Sequence, residues 1–222
     1  AKVLGVRTNL CYEVSDRDGE EKMTQAVLEN ARMMERAGAD KSDMLKGMMG
    51  LHAAFTLSDQ TLALCKKHTP ATTGFHIHVA EGPGDQIDSL KKYGKRIVER
   101  LFENGILGKK TLAVHCVHVS PAEMALLKET DTMVVHNPES NMGNAVGCGP
   151  VLRLYQEGIL LGLGTDGYTN DMIESYKVGN IIHKHNLCDP TVAWGEIPAM
   201  LFENNARIAG RFFQKPLGVL KA

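Results

Sequence analysis

Short runs of apolar and β-branched residues alternate along this chain with longer segments whose apolar positions recur at spacings of three and four. This alternation predicts parallel strands that are each followed by a helix, and therefore an α/β fold. Because the carboxyl ends of parallel strands meet at one edge of a sheet, polar side chains at those ends should converge. Five predicted strands end in such a side chain: His52, His78, His115, His136 and Asp166.

The predicted central strand lies in residues 73–81, Thr-Gly-Phe-His-Ile-His-Val-Ala-Glu. Successive side chains of a strand point to opposite faces, so His76 and His78 share one face while the apolar residues around them share the other. Glu81 follows the expected end of the strand and can turn back over His78. One face of this strand is therefore suited to chemistry and the other to packing.

Local signals predict where several helices begin and end. Ser58 is an expected N-cap of a helix that runs toward His68. Ser120-Pro-Ala-Glu123 is a capping-box pattern with proline in the first turn, and it predicts a helix to about Thr130. Gly94 is expected to divide the helical segment after the central strand into two pieces.

The remaining segments are less strongly patterned. Residues 3–14 predict a strand, and the helix that follows is expected to end near Gly38. The glycine-rich residues 137–149 predict a long loop of the kind that often binds ligands or covers a site. A phosphate-binding loop is disfavoured because no Gly-Lys-Ser/Thr sequence follows. Further helices are predicted at residues 150–157, 172–182 and 191–202, and from about 204.

The polar residues at the strand ends are of the types that bind zinc. Zinc takes imidazole nitrogens and carboxylate oxygens, and a catalytic site keeps one position for water. His78, His115 and Asp166 could supply such ligands from three strand ends. The bound ion would lower the pKa of its water to about 7. Glu81 is placed to move the proton from the nucleophile to the leaving group.

Several other histidines and one cysteine lie at or near the strand ends or in helices. His52 and His136 are predicted to contact substrate, while packing and support of the metal ligands are equally good interpretations of His76.

Cys116 should face away from His115, and we expect His118 to be structural. His183 and His185 lie among polar residues and are predicted to be at the surface.

Composition limits the classes of partner. The chain has 222 residues, enough for one sizeable core, and its formal net charge of −1 favours neither nucleic acid nor a membrane surface. A small neutral substrate fits better. The five cysteines stand singly, which predicts a reduced, cytoplasmic protein without a zinc knuckle or a disulfide scaffold. A homo-oligomer remains an open alternative.

Four of these segments together resemble the strand-5 to strand-8 motifs of the amidohydrolase superfamily. The similarity is strongest to its deaminase and chlorohydrolase branch, in which Gly50-Leu-His-Ala-Ala-Phe-Thr-Leu-Ser58 also has a counterpart. Leu10–Gly19 and Tyr93–Arg96 resemble the aminohydrolases called SsnA. The four motifs are His76-Ile-His-Val-Ala-Glu81, Ala113-Val-His-Cys-Val-His118, Val135-His-Asn-Pro-Glu-Ser-Asn141 and Leu163-Gly-Thr-Asp-Gly167.

The resemblance implies a (β/α)8 TIM barrel that binds a divalent metal, zinc first, with iron or a second ion as alternatives. His78 would be the strand-5 metal ligand and Glu81 the proton shuttle. His115 would orient the hydrolytic water or bind a second metal, and Asp166 would bind metal and accept a proton from the water. His52 would approach the substrate, and His136 would support the pocket.

The sequence departs from the family pattern in one respect. The strand-1 His-x-His pair of the family has no counterpart in residues 1–222, and neither does its small β-sandwich. We therefore expect a single, partial barrel that runs from about strand 3 to the helices after strand 8. Its metal site is expected to be incomplete, with at most three of the protein ligands.

The leading hypothesis from these features is an aminohydrolase, a metal-dependent hydrolase that replaces an exocyclic amino group of a small heterocyclic substrate by oxygen. Hydrolytic dechlorination is the alternative enzyme activity. Because expulsion of an amine requires an acid and expulsion of chloride does not, Glu81 favours deamination. A barrel that has lost catalysis and serves as a binding module is the alternative of a different class.

Overall fold

The computed structural model describes residues 2–219. Within that range the chain forms seven short strands, and their order in the sheets follows their order in the chain. The strands are β1 (Thr8–Leu10), β2 (Leu45–Gly47), β3 (Met49–Ala53), β4 (Phe75–Val79), β5 (Leu112–His115), β6 (Met133–His136) and β7 (Leu161–Leu163).

Helices follow the strands in alternation, as the sequence pattern predicts. The α-helices are α1 (Glu20–Ala39), α2 (Asp59–His68), α3 (Pro83–Tyr93), α4 (Ile97–Glu103), α5 (Pro121–Glu129), α6 (Pro138–Gly143), α7 (Val151–Gln156), α8 (Met172–Leu187), α9 (Glu196–Ala199) and α10 (Asn205–Ala209). A 3₁₀ turn spans Ala54–Thr56, and a π-helical turn spans Met200–Asn204. No helix among residues 2–219 is long and apolar enough to cross a membrane.

All the strand pairs are parallel. β3 to β7 form a five-stranded sheet, and β1 pairs with β2 in a separate two-stranded sheet. Only Met48 separates β2 from β3, and a parallel bridge between Val14 and Leu51 continues the pairing across that break. A parallel sheet whose sequential neighbours are joined by helices confirms the α/β prediction.

The central strand β4 has the two faces that its alternation predicts. Phe75, Ile77 and Val79 are buried in the hydrophobic core, whereas His76 and His78 are half-buried on the opposite face. Burying three large apolar side chains contributes several kcal/mol, at about 1.5–3 kcal/mol each. Packing of the apolar face therefore determines which way the two imidazoles point.

The local helix signals are confirmed. The Ser58 side chain accepts a hydrogen bond from the backbone N–H of Thr61, and Ser120 forms the predicted reciprocal pair with Glu123. Gly94 adopts a left-handed conformation with φ 69° at the end of α3, where a side chain would be strained.

Buried ionic contacts hold the loop after β5. The Glu123 carboxylate is 2% exposed and accepts hydrogen bonds from Arg96 Nε at 2.6 Å and Gln86 Nε2 at 3.0 Å. Burial alone would raise the pKa of Glu123, but these hydrogen bonds and those from the backbone outweigh it and lower the pKa. Arg96 also donates to the carbonyl of His118 at 2.8 Å, which ties the loop to the two helices around it.

Three predicted boundaries are wrong. Within residues 3–14 the strand spans only Thr8–Leu10; a 3₁₀ turn at Lys2–Leu4 precedes it, and Val14 forms an isolated bridge with Leu51. The first helix, by contrast, ends at Ala39, next to Gly38 as predicted. The predicted loop at 137–149 contains helix α6. The predicted helix at 191–202 begins later, because the α-helix starts at Glu196 and is continued by the π-helical turn at Met200–Asn204.

Candidate active site

The ends of β4, β5 and β7 bring one imidazole and two carboxylates together. His115 is the last residue of β5 and is only 1% exposed. Its Nε2 atom lies 3.7 Å from Oε2 of Glu81 and 3.6 Å from Oδ2 of Asp166. This nitrogen is buried and has no hydrogen-bond partner. The three predicted groups therefore converge on one point, although they lie far apart in the sequence.

The backbone is strained where these side chains leave the sheet. His115 has φ 72° and Asp166 has φ 55°, both in the left-handed region that residues other than glycine seldom adopt. Each such residue costs on the order of 1–3 kcal/mol and persists where the surrounding structure over-determines it. Two of the three residues whose side chains meet therefore have a strained backbone.

A row of imidazoles continues from His115 along the sheet edge. The His78 ring centroid lies 5.4 Å from that of His115, 5.6 Å from that of His52 and 5.9 Å from that of His76. Burial lowers the pKa of His78, and burial together with the nearby His78 lowers the pKa of His76 to about 4. Neutral imidazoles keep a lone pair, which is the form that binds metal.

Helix α6 supplies a hydrogen bond to each member of the cluster. The Ser140 hydroxyl donates to Oδ2 of Asp166 at 2.6 Å, and Asn144, which caps the helix, donates from Nδ2 to Oε1 of Glu81 at 3.0 Å. Asn141 Oδ1 lies 2.8 Å from Nδ1 of His115. Burial opposes ionisation of Asp166, but hydrogen bonds from Ser140 and Gly167 outweigh it and lower the pKa of the carboxyl.

Sequence reasoning missed these supporting residues. Ser140 and Asn141 stand in the motif Val135–Asn141, but they fall within residues 137–149, for which the sequence predicts a long loop. The available signal was Pro138, since proline is favoured in the first turn of a helix. The same signal correctly predicted α5.

The prediction that His183 lies at the surface is wrong, because its side chain is buried against His136. His183 is 2% exposed, and its Nε2 lies 3.1 Å from Nε2 of His136, while its Nδ1 lies 3.4 Å from Sγ of Cys148. Burial lowers the pKa of His183 to about 4 and lowers that of His136 well below its usual range. His185, by contrast, is exposed as predicted.

His136 itself is 1% exposed and engaged with His183. This environment suits support of the pocket better than direct contact with a substrate. Cys116 is completely buried, and its Sγ contacts the carbonyl of Ala113, so it faces away from the cluster. His118 hydrogen-bonds through Nε2 to the carbonyl of Val146 at 2.8 Å, which is a structural role.

The structure has a cleft of about 910 Å³. It is lined by the start of α3, the loop after β5, residues 148–153 and the second half of α8. Cys148 and His183 reach it, but Glu81, His115 and Asp166 do not. The cleft therefore does not include the three side chains that meet at the strand ends.

The sequence model of the amidohydrolase family matches residues 1–214. The chain belongs to the amidohydrolase family. It is 35% identical over 204 residues to the 5'-deoxyadenosine deaminase of Methanothermobacter thermautotrophicus, which covers 88% of this chain and 46% of that relative. It is 34% identical over 174 residues to the 5-methylthioadenosine/S-adenosylhomocysteine deaminase of Syntrophomonas wolfei, covering 76% of this chain and 40% of the relative.

Solved amidohydrolase structures have the same fold. A zinc-bound adenosine deaminase from Xanthomonas campestris superposes with a TM-score of 0.81 at 24% identity, over 95% of this chain and 49% of that one. The zinc complex of atrazine chlorohydrolase TrzN from Arthrobacter aurescens gives 0.79 at 16% identity, over 95% and 51%. These likenesses confirm a partial TIM barrel. The chain spans about half the length of the curated relatives and solved structures it matches.

This part of the amidohydrolase has the donor chemistry of a zinc site without a complete set of ligands. Among residues 2–219, no group of three or more His, Cys, Asp or Glu side chains is close enough to hold a metal ion. However, the buried Nε2 of His115 has no partner and faces two carboxylate oxygens. Imidazole nitrogen and carboxylate oxygen are the ligands that catalytic zinc takes. The residues present therefore fit one side of a metal site.

Proposed function

We propose that the protein containing this chain is a metal-dependent aminohydrolase that hydrolyses an exocyclic C–N bond of a heterocycle and releases ammonia. The observation that carries the proposal is the meeting of His115 with Glu81 and Asp166 at the strand ends, at 3.7 and 3.6 Å. This combination can hold a divalent ion and move a proton next to it. The deaminase names of the sequence relatives support the same reaction.

His78 and Asp166 would hold the metal, zinc in the first instance, and His115 would bind beside it or orient the water. When bound, a divalent ion makes its water a good nucleophile by lowering the pKa of that water to about 7. Ser140 donates to Asp166, which keeps the carboxylate ionised and able to bind a cation or accept a proton.

Glu81 would carry the proton to the leaving amine. Asn144 occupies Oε1 of Glu81, so Oε2 is the oxygen that faces His115. One oxygen is thus held in place by the hydrogen bond and the other is directed at the cluster. A positioned carboxylic acid of this kind contributes about 10²–10⁴-fold to a rate through proton transfer.

The substrate is proposed to be a small, flat heterocycle of the adenine nucleoside class. His52 and Phe55 lie at the edge of the imidazole row, with ring centroids 5.8 Å apart. Phe55 is 42% exposed, so an aromatic face is available for a planar ring. The names of the curated relatives, which include 5'-deoxyadenosine deaminase, support this choice.

The proposal is tested with the purified, zinc-loaded full-length protein. Incubation with 5'-deoxyadenosine should release ammonia, and incubation with a chlorinated triazine should release no chloride. Chloride release without ammonia release would assign the protein to dechlorination instead. A protein that releases neither product from a panel of adenine nucleosides and chlorinated heterocycles would favour the binding-module hypothesis.

A further inference from the structure

We propose that Arg100 of helix α4 is a positioning residue that holds the turn at Ala54–Thr56, so that the ring of Phe55 forms one side of the substrate site. The part of this inference that concerns substrate rests on the function proposed above. The contact between Arg100 and the turn is a property of the folded protein without substrate, and it can be measured separately.

The first argument is that the guanidinium of Arg100 binds the turn on both sides of Phe55. Its side chain is 1% exposed, and it donates from Nη1 to the carbonyl of Ala54 at 2.7 Å and from Nη2 to the carbonyl of Leu57 at 2.6 Å. A planar guanidinium can hold two acceptors in one fixed geometry. These two hydrogen bonds therefore fix the path of the turn relative to α4.

The second argument is the cost of placing a charge at this position. Nε of Arg100 donates to Oδ1 of Asp59 at 2.8 Å, and the guanidinium carbon lies 3.6 Å from the ring centroid of Tyr93. A buried charge is costly unless it is paired and hydrogen-bonded, and an apolar side chain of similar volume often fills such a space at no loss of stability. An apolar side chain could not, however, supply the two donors to the turn.

The turn is also held from the other side, by the residues around Thr56. The carbonyl of Thr56 accepts a hydrogen bond from the backbone N–H of Asp16 at 2.9 Å, and its Oγ1 atom lies 2.8 Å from Nδ1 of His52. The turn is thus anchored to the loop after β1, to the end of β3 and, through Arg100, to α4.

The third argument is that this anchored turn leaves one large apolar ring uncovered. Phe55 is 42% exposed, and its ring centroid lies 5.8 Å from that of His52 at the edge of the imidazole row. The residues on either side of it are buried: Ala54, Thr56 and Leu57. A rigidly held aromatic face binds a planar group without an ordering cost at the moment of binding. The function of the anchoring is therefore to present Phe55.

The contact with the turn is tested by amide hydrogen exchange, followed by NMR on the full-length protein without substrate. Arg100→Met fills a similar volume and removes the donors. The amides of Asp16 and Ser58 report on the turn, because the first donates to Thr56 and the second to Oδ2 of Asp16 at 2.7 Å. We expect both to exchange about tenfold faster, since a hydrogen bond to a charged group contributes roughly that factor. Unchanged exchange in folded Arg100→Met would overturn the proposal.

Arg211→Met is the matched control. Arg211 also donates to two backbone carbonyls, those of Lys109 and Asp131 at 2.6 and 2.8 Å, but these residues precede β5 and β6 at the opposite end of the sheet. Exchange at Asp16 and Ser58 should stay at the wild-type rate in this variant.

Arg100→Lys keeps the charge but lacks the planar fork, so its exchange should fall between those of the wild type and Arg100→Met. If Arg100→Met does not fold, Arg100→Lys carries the test, and exchange at the wild-type rate in that variant would overturn the proposal.

Steady-state kinetics of the zinc-loaded protein with 5'-deoxyadenosine test the role in substrate binding. Arg100→Met should raise KM about tenfold and leave kcat within about twofold of the wild type, because the aromatic contact is equally strong before and during the reaction. Phe55→Ala should do the same. The double variant should have the KM of the more affected single variant, since Arg100 acts through Phe55. KM increases that multiply in the double variant, or an equal increase in Arg211→Met, would overturn the proposal.

These outcomes are separable from those of the proposed reaction. Faster exchange of the Asp16 and Ser58 amides in Arg100→Met, in a protein that deaminates nothing, would support the contact with the turn and refute the reaction. Ammonia release by a protein whose turn exchanges at the wild-type rate in Arg100→Met would do the reverse.

Discussion

Nε2 of His115 lies 3.6 Å from Oδ2 of Asp166, and the two residues come from strands that are not neighbours in the sheet. Strand β6 lies between them, yet its own terminal residue His136 is turned away and bonded to His183. The polar side chains at the carboxyl edge of the sheet thus form two groups. Glu81, His115 and Asp166 can carry chemistry, and His136 with His183 forms a buried pair that supports them.

Replacing Asp166 by asparagine should remove metal. The amide has no charge to attract a divalent ion, although it keeps the shape of the side chain and can still meet Ser140. Loss of groups that only support a metal ligand costs about 10–100-fold in metal affinity or activity, so loss of a ligand should exceed that range. Elemental analysis of the full-length protein should show zinc in the wild type and little in Asp166→Asn.

Asp189→Asn is the control for that experiment, because this aspartate lies in a surface loop and its side chain accepts hydrogen bonds from Thr191. Its zinc content should equal that of the wild type. Full zinc occupancy in Asp166→Asn would remove Asp166 from the set of ligands.

Replacing Glu81 by glutamine should separate proton transfer from metal binding. Glutamine cannot carry the proton, so kcat should fall by about 10²–10⁴-fold. The zinc content should remain near that of the wild type. Steady-state assays of ammonia release measure the loss, with Glu99→Gln, an exposed residue of α4, as the comparison. A kcat within about threefold of the wild type would leave Glu81 without the assigned role.

Stability should decrease when the pH falls from about 6.5 toward 4. Burial lowers the pKa of His183 from 6.5 to about 4, so the unfolded chain binds a proton in this window that the folded chain does not. The contribution of His183 is fully present above pH 6.5 and is lost as the pH approaches 4. It amounts to no more than about 3 kcal/mol. His136 acts in the same direction because its pKa is also lowered.

The neighbours of His183 determine which of its protonation forms is favoured. His136 and Cys148 hydrogen-bond to it, Lys184 favours its neutral form, and Glu196 favours its charged form. Urea unfolding of the full-length protein at pH 7.5 and 5 should show a smaller difference for His183→Gln than for the wild type. The exposed His185→Gln should retain the wild-type difference, and equal differences in all three proteins would argue against a buried neutral His183.

Gly74→Ala should destabilise the sheet. A Cβ atom at this position, just before β4, would lie 2.0 Å from the carbonyl oxygen of Lys110, which is a backbone atom that cannot move without displacing β5. Overpacking of this kind costs about 1–3 kcal/mol or more. Thermal unfolding should show a lower Tm. Gly84→Ala in α3 is the comparison, since nothing lies within 4 Å of its Cβ and alanine favours helix.

Local features of the fold could be predicted because they depend on neighbouring residues. The Ser120–Glu123 capping box and the helix break at Gly94 involve contacts within a few residues, and the structure has both. The alternation of His76 and His78 with apolar neighbours also predicted which face of β4 is buried. Parallel strand ends meet at one edge, so the meeting of His115 with Asp166 could be expected from topology.

The sequence by itself therefore determined the alternating strands and helices, the family and the groups that meet at the strand ends. Only the tertiary structure decided which side chains support them. His183 stands among polar residues in a helix, and its burial depends on His136 and Cys148, which come from distant segments. The side chain of Asn141 likewise contacts an imidazole that lies on another strand, His115. Periodicity and capping patterns report contacts within a segment, and these hydrogen bonds form only when the strands are brought together.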